Sequence, residues 1–195
     1  TIDYSFVTNA ENLEHLQNRD YSGITFLNDT QQNTISEALE KAQLATGINF
    51  ELADATEEAE LYFYFEDLTD AAAVQFPEFD YQLDVNNEVR DVDLDSYILF
   101  DSVYLNSDFL HGSYEYETVL HEVGHFLGLA HPHDDTVLDV AFDHNSHTLM
   151  SYNDSGIYYA DYNPLDKVAL NYLYGGDGIG GEFGAYSSIT LEHNS

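Results

Sequence analysis

The chain predicts an α+β fold, because apolar patterns of period two and of period 3.6 succeed one another without a regular strand–helix alternation. A strand-like start and a helical stretch come first. Several strand-like runs follow, then a second helical stretch that carries a dense histidine motif, and last a strand-poor C-terminal part. The apolar fraction, 44% with 16 Tyr and 12 Phe, suffices for a packed core. At 195 residues the chain fits one domain, in two lobes around a cleft.

Taken in order, Thr34 with Glu37 reads as a capping box, followed by Ile35, Ala38, Leu39 and Ala42 at helical spacing. Gly47 is placed to stop that helix, and residues 48–52 alternate as a strand. Leu61–Phe65 reads as a strand with two apolar faces, and Ala71–Phe76 as a short edge strand ended by Pro77. Ser96–Phe100 is a further strand. A helix starts near Gly112-Ser113 with Glu115 and Glu117 in its first turns, and its core positions are Val119, Leu120, Val123, Phe126 and Leu127. The last helix opens at Asn163-Pro164 and presents Leu165, Val168, Ala169, Tyr172 and Leu173.

Charge narrows the partners. With 37 acidic residues against four Lys and Arg, the formal net charge is −33, which repels nucleic acid and anionic membranes. The surplus suits saline surroundings, where counterions screen it, and equally suits a solvated acidic surface. No apolar run approaches the roughly 20 residues of a bilayer span. The absence of cysteine excludes disulfides and thiol chemistry. The chain opens on Thr1 without a basic-then-apolar leader, so the expectation is a secreted, extracellular protein whose signal and pro-segment are already removed or omitted. A monomer is expected.

The strongest chemical signal is His121-Glu122-Val123-Gly124-His125-Phe126-Leu127-Gly128-Leu129-Ala130-His131. On a helix His121 and His125 leave one face and can share a metal ion, with Glu122 within reach of a water bound there. A left-handed Gly128 would end the helix and swing His131 round as a third ligand. Three imidazoles with an open fourth position describe a catalytic zinc site. His133 with Asp134 and Asp135 is a second metal candidate, and reads more simply as solvated loop. Asp91, Asp93 and Asp95 alternate and make calcium a candidate cofactor, against the plainer reading of an acidic face. His15, His111, His144, His147 and His193 read as structural or surface residues.

The motif resembles that of the metzincin metallopeptidases, whose second mark is a methionine turn beneath the zinc. The single methionine, Met150, lies in Leu149-Met150-Ser151-Tyr152, 19 residues after His131. Tyr152 two places after Met150 looks like the serralysins and the astacins; Pro132 after His131, and the absence of the disulfides usual in astacins, favour the serralysins. So do Tyr4-Ser5-Phe6, residues 26–32 and residues 167–175, so the resemblance covers roughly residues 4–176. It implies a twisted mixed sheet with an active-site helix above a zinc cleft, an upper lobe of about residues 1–131 and a smaller irregular lobe of about 132–176. It implies a zinc endopeptidase in which His121, His125 and His131 hold the metal, with Tyr152 as an extra ligand that moves to the oxyanion. Glu122 is then the general base, and Met150 the floor beneath the zinc. An edge strand at Ala72, Ala73, Val74 and Gln75 would bind substrate by β-augmentation. Substrates would be proteins or peptides, with a protein inhibitor or a pro-segment as further partners. Serralysins usually continue into a glycine-repeat calcium domain, and the expectation here is a catalytic domain without one: residues 175–181 carry Gly180 where its repeat has Asp, and 177–195 read as a tail. The alternative function is a catalytically silent zinc- or peptide-binding protein on the same fold.

Overall fold

The computed structural model describes residues 1–8, 23–54, 59–83, 85, 89–134 and 138–175, with side chains 78–82 and 89–94 left aside. The architecture is α+β: five strands in one mixed sheet and, among the described residues, three α-helices. His15, Asp135, His193 and the 177–195 tail lie outside the described residues, as do the side chains of Asp91 and Asp93.

The chain forms two compact units. The first comprises Thr1–Asn33 with Phe50–Asp108 and holds the whole sheet. The strands are β1 Ile2–Phe6, β2 Phe50–Leu52, β3 Leu61–Glu66, β4 Ala73–Leu83 and β5 Val89–Asp101, in the order β2-β1-β3-β5-β4. The β1–β2, β1–β3 and β3–β5 pairs are parallel, and β4 runs antiparallel to β5. A strand buried on both faces should be apolar without alternation, and Leu61-Tyr62-Phe63-Tyr64-Phe65 is buried throughout. One face packs Tyr62, Tyr64, Tyr97 and Leu99 with Val7 and Ala59. The Tyr62 and Tyr97 rings stack at 5.5 Å.

Three sequence expectations change. The strand through Ala73–Phe76 continues past Pro77 to Leu83, with Pro77 opposite Ser96; an edge strand tolerates proline because one side of its backbone needs no ladder partner. The strand at Ser96–Phe100 begins at Val89, since the acidic run before it supplies the partner for the longer β4. Strand β2 is only three residues.

The second unit comprises Thr34–Asn49 with Phe109–Ser195. Helix α1 spans Asp29–Thr46, so it starts a turn and a half before Thr34. Its capping box is Asn28 with Gln31: Gln31 N donates to Asn28 Oδ1 at 3.0 Å and Asn28 N donates to Gln31 Oε1 at 2.9 Å. Ile35, Ala38, Leu39 and Ala42 form its buried face as the spacing predicts. Gly47 ends it with φ 74°, its N–H donating to Gln43 O. Helix α2 spans Tyr114–Phe126 and helix α3 Pro164–Tyr174. On α3 the buried positions are Asp166 and Leu170, whereas Val168 and Tyr172 are exposed. The buried carboxylate at Asp166 turns this helix away from the face that apolarity alone selects.

Candidate metal centre

Everything that forms the site belongs to the second unit. Helix α2 begins at Ser113, whose hydroxyl accepts from Tyr116 N at 3.2 Å, and Glu115 and Glu117 occupy the first turn where carboxylates suit the helix dipole. Val119, Leu120 and Val123 are fully buried, which fixes the rotation of α2 and sets His121 and His125 on one side. Tyr162 buttresses this helix by donating its hydroxyl to Leu120 O at 3.1 Å.

Two glycines are required by the geometry. Gly128 has φ 90°, the left-handed region, and turns the chain so that His131 returns to the helix. At Gly124 a Cβ would lie 3.0 Å from Met150 Sδ, so the bare backbone lets the methionine turn approach α2.

The three imidazoles then converge. His131 Nε2 lies 3.3 Å from His121 Nε2 and 3.0 Å from His125 Nε2. Each ring's other nitrogen faces an acceptor: His121 Nδ1 meets Leu149 O at 2.7 Å, His125 Nδ1 meets Leu129 O at 2.9 Å, and His131 Nδ1 meets Asp134 Oδ2 at 3.0 Å. Acceptors on all three Nδ1 atoms assign the protons there, which leaves three Nε2 lone pairs pointing at one another. Such an arrangement repels itself unless a cation sits among the lone pairs. Tetrahedral zinc with Zn–N near 2.0–2.1 Å separates its nitrogens by about 3.3 Å, so the donor set fits that ion in type and spacing. His121, His125 and His131 thus form an HxxxH-type cluster that could hold a metal ion.

Burial works in the same direction. It holds the His121 imidazole down at about 4, helped by the neighbouring His125 and His131 and opposed by the Leu149 carbonyl. His125 is lowered mainly by burial as well. Both rings therefore stay neutral, the form that binds metal, at neutral pH.

Around the cluster, Glu122 is buried at 6% exposure beside His121. Tyr152 is 66% exposed, with its hydroxyl 2.8 Å from His131 Nε2. Burial first, then the charges of Glu122 and Asp134, raises the Tyr152 phenol above its ordinary value and keeps it protonated. Met150 is 1% exposed and sits under Gly124. The turn that carries it is tied down by Asp166, whose carboxylate accepts from Thr148 Oγ1 at 2.6 Å, Leu149 N at 2.8 Å and Asn163 N at 2.9 Å.

Tyr152 and the three histidines lie together, and Met150 packs under Gly124 of the same helix. Ala72, Ala73, Val74 and Gln75 belong to the other unit, on and just before edge strand β4, where Ala72 O accepts from Asp101 N. Sequence reasoning named Asp134 only within a second metal group and Glu117 only for its place in the helix's first turns; it missed their roles here, and missed Asp166 and the Leu129 and Leu149 carbonyls altogether. Glu117 accepts from Tyr159 N and Asn145 Nδ2, holding the chain after Tyr152, and burial raises its pKa. Asp134, three residues beyond His131, was the one of these that a search for carboxylates near each ligand would have found.

No model of a known protein family matches the chain, and no curated protein gives a significant match.

Proposed function

We propose that this chain is a secreted zinc endopeptidase of the metzincin kind, serralysin-like, that cleaves proteins or peptides. The observation that carries the reading is the convergence of three Nε2 atoms, with Glu122 buried beside His121, on the spacing His121-Glu122-x-x-His125-x-x-Gly128-x-x-His131. Glu122 is next in sequence to a candidate ligand, and its charge is felt at the Tyr152 phenol, so its carboxylate lies on the side of the cluster where a metal-bound water would be. Ligation by His121, His125 and His131 alone does not require Glu122.

Zinc held by the three imidazoles would supply Lewis acidity, acidifying water and polarising the scissile carbonyl. Glu122 takes a proton from the attacking water as the new C–O bond forms. It then delivers that proton to the departing amine nitrogen as the C–N bond breaks. Tyr152 leaves His131 Nε2 and donates its phenolic proton to the oxygen on which charge develops. Met150 keeps the floor of the cluster apolar. By the same resemblance, substrate would add as an antiparallel strand along Ala72 and the start of β4, Ala73–Gln75, and a pro-segment or a protein inhibitor would be a further partner.

The test is digestion of casein with and without a zinc chelator, followed by restoration with added zinc. Cleavage that stops with the chelator and returns with zinc supports the reading. Zinc binding without cleavage of any of a broad set of peptides would instead favour a silent zinc- or peptide-binding protein.

A further inference from the structure

A second group of donors lies on the other edge of His131. His131, His133 and Asp134 offer ligand atoms that all fall within 4.8 Å of one another. The His131 and His133 rings are parallel, 9° apart in plane with centroids at 5.1 Å. The His133 ring also lies 5.1 Å from that of Tyr152. Both His133 and Asp134 are exposed, so a solvated ion reaches them without rearrangement of the core.

We infer that His133 and Asp134 hold a second divalent cation of the zinc type beside the three-histidine cluster, filled only when metal is in excess. His131 cannot serve both ions through Nε2, because that atom faces His121 and His125. With Nε2 engaged, its Nδ1 keeps a proton and donates it to Asp134. The second ion therefore has one imidazole and one carboxylate from the protein, with water completing its shell. Two protein ligands in place of three make this the weaker site. An imidazole donor selects zinc-like ions over calcium, which wants six to eight oxygens.

Occupancy has a consequence for the first site. Asp134 is the acceptor that orients His131, and a cation bound to it weakens that hold. The ion also sits beside Tyr152, whose phenol must move in the proposed mechanism. Excess zinc should thus slow peptide cleavage. This consequence rests on the peptidase reading, whereas the binding of the ion does not.

The experiment is a zinc titration of the whole chain against a chromophoric chelator. Millimolar calcium and high NaCl keep the other carboxylates of the acidic surface from contributing. The wild type should show two classes of site, the second at least about tenfold weaker, as fewer protein ligands imply. His133→Ala should show only the tight class. Asp134→Ala should lose the weak class and loosen the tight one by roughly 10–100-fold, the usual effect of removing a ligand's orienting partner. A single class in the wild type, or a weak class that survives in His133→Ala, overturns the inference. In a parallel cleavage assay, zinc excess should inhibit the wild type and spare His133→Ala. If neither protein cleaves any peptide but the weak class still vanishes with His133, the second site stands and the peptidase reading falls.

Discussion

Replacing Asp166 by alanine should loosen the methionine turn and, through it, the metal. The carboxylate is 2% exposed and accepts from two backbone N–H groups and one hydroxyl. The Thr148 hydroxyl can rotate to another acceptor, but the Leu149 and Asn163 N–H groups cannot. Each buried donor left unpaired costs about 1–3 kcal/mol, so Asp166→Ala should lose about 2–6 kcal/mol of stability. Asp166→Asn is the control. Its amide oxygen can replace the Oδ2 that receives both N–H groups, and its NH2 can donate to a reoriented Thr148 hydroxyl, so its cost should be about 1 kcal/mol. Denaturant unfolding of the zinc-free proteins gives these values free of metal linkage. Zinc competition then reads the second effect. Leu149 O accepts from His121 Nδ1 at 2.7 Å, so a displaced Leu149 should weaken zinc binding by roughly 10–100-fold in Asp166→Ala. If the alanine variant unfolds within about 0.5 kcal/mol of wild type, Asp166 does not hold the turn and the reasoning fails.

Two further outcomes follow from the same geometry. Tyr152→Phe should keep zinc yet lower kcat by about 10–1000-fold with little change in KM, because its proposed donation acts on charge present only in the transition state; an unchanged kcat makes Tyr152 a bystander. In metal-free protein His121, held at about 4, should remain the neutral Nδ1–H tautomer at pH 5.5 in proton–nitrogen NMR spectra, whereas an unfolded imidazole titrates near 6.5. Between those values the folded chain binds fewer protons than the unfolded one, so this contribution to stability is complete above about 6.5 and is lost as pH falls toward 4. Protonation of His121 near pH 6.5 would contradict the buried, acceptor-held ring.

What the sequence revealed was local. The helix start at Ser113, the turn at Gly128, the stop at Gly47 and the Asn163-Pro164 cap each depend on a few adjacent residues whose backbone preferences are strong. Helix α1 misled because Thr34-x-x-Glu37 has the spacing of a capping box, while Asn28-x-x-Gln31 one and a half turns earlier forms the real one. Inside a helix a Thr and a Glu at that spacing simply share a face. Strand lengths failed for a non-local reason: β4 passes Pro77 because β5 offers it a partner, which no window around Pro77 contains. The three histidines of the cluster were visible as side chains at fixed spacing. Two of the groups that orient them are backbone carbonyls, Leu129 and Leu149, invisible to any pattern of side chains. The third, Asp134, looks like one more aspartate in a chain that has 37 acidic residues.

In the proposed mechanism Glu122 works on water beside a metal that it does not ligate. Its most direct test is Glu122→Ala, with zinc content measured by elemental analysis next to cleavage of a peptide by the same preparation. Once loosely bound metal is dialysed away, both proteins should hold one tight zinc per chain. Cleavage by the variant should fall by a factor on the order of 100–10,000, the usual worth of a positioned acid–base. A variant that retains near wild-type cleavage, or that loses its zinc, would contradict it.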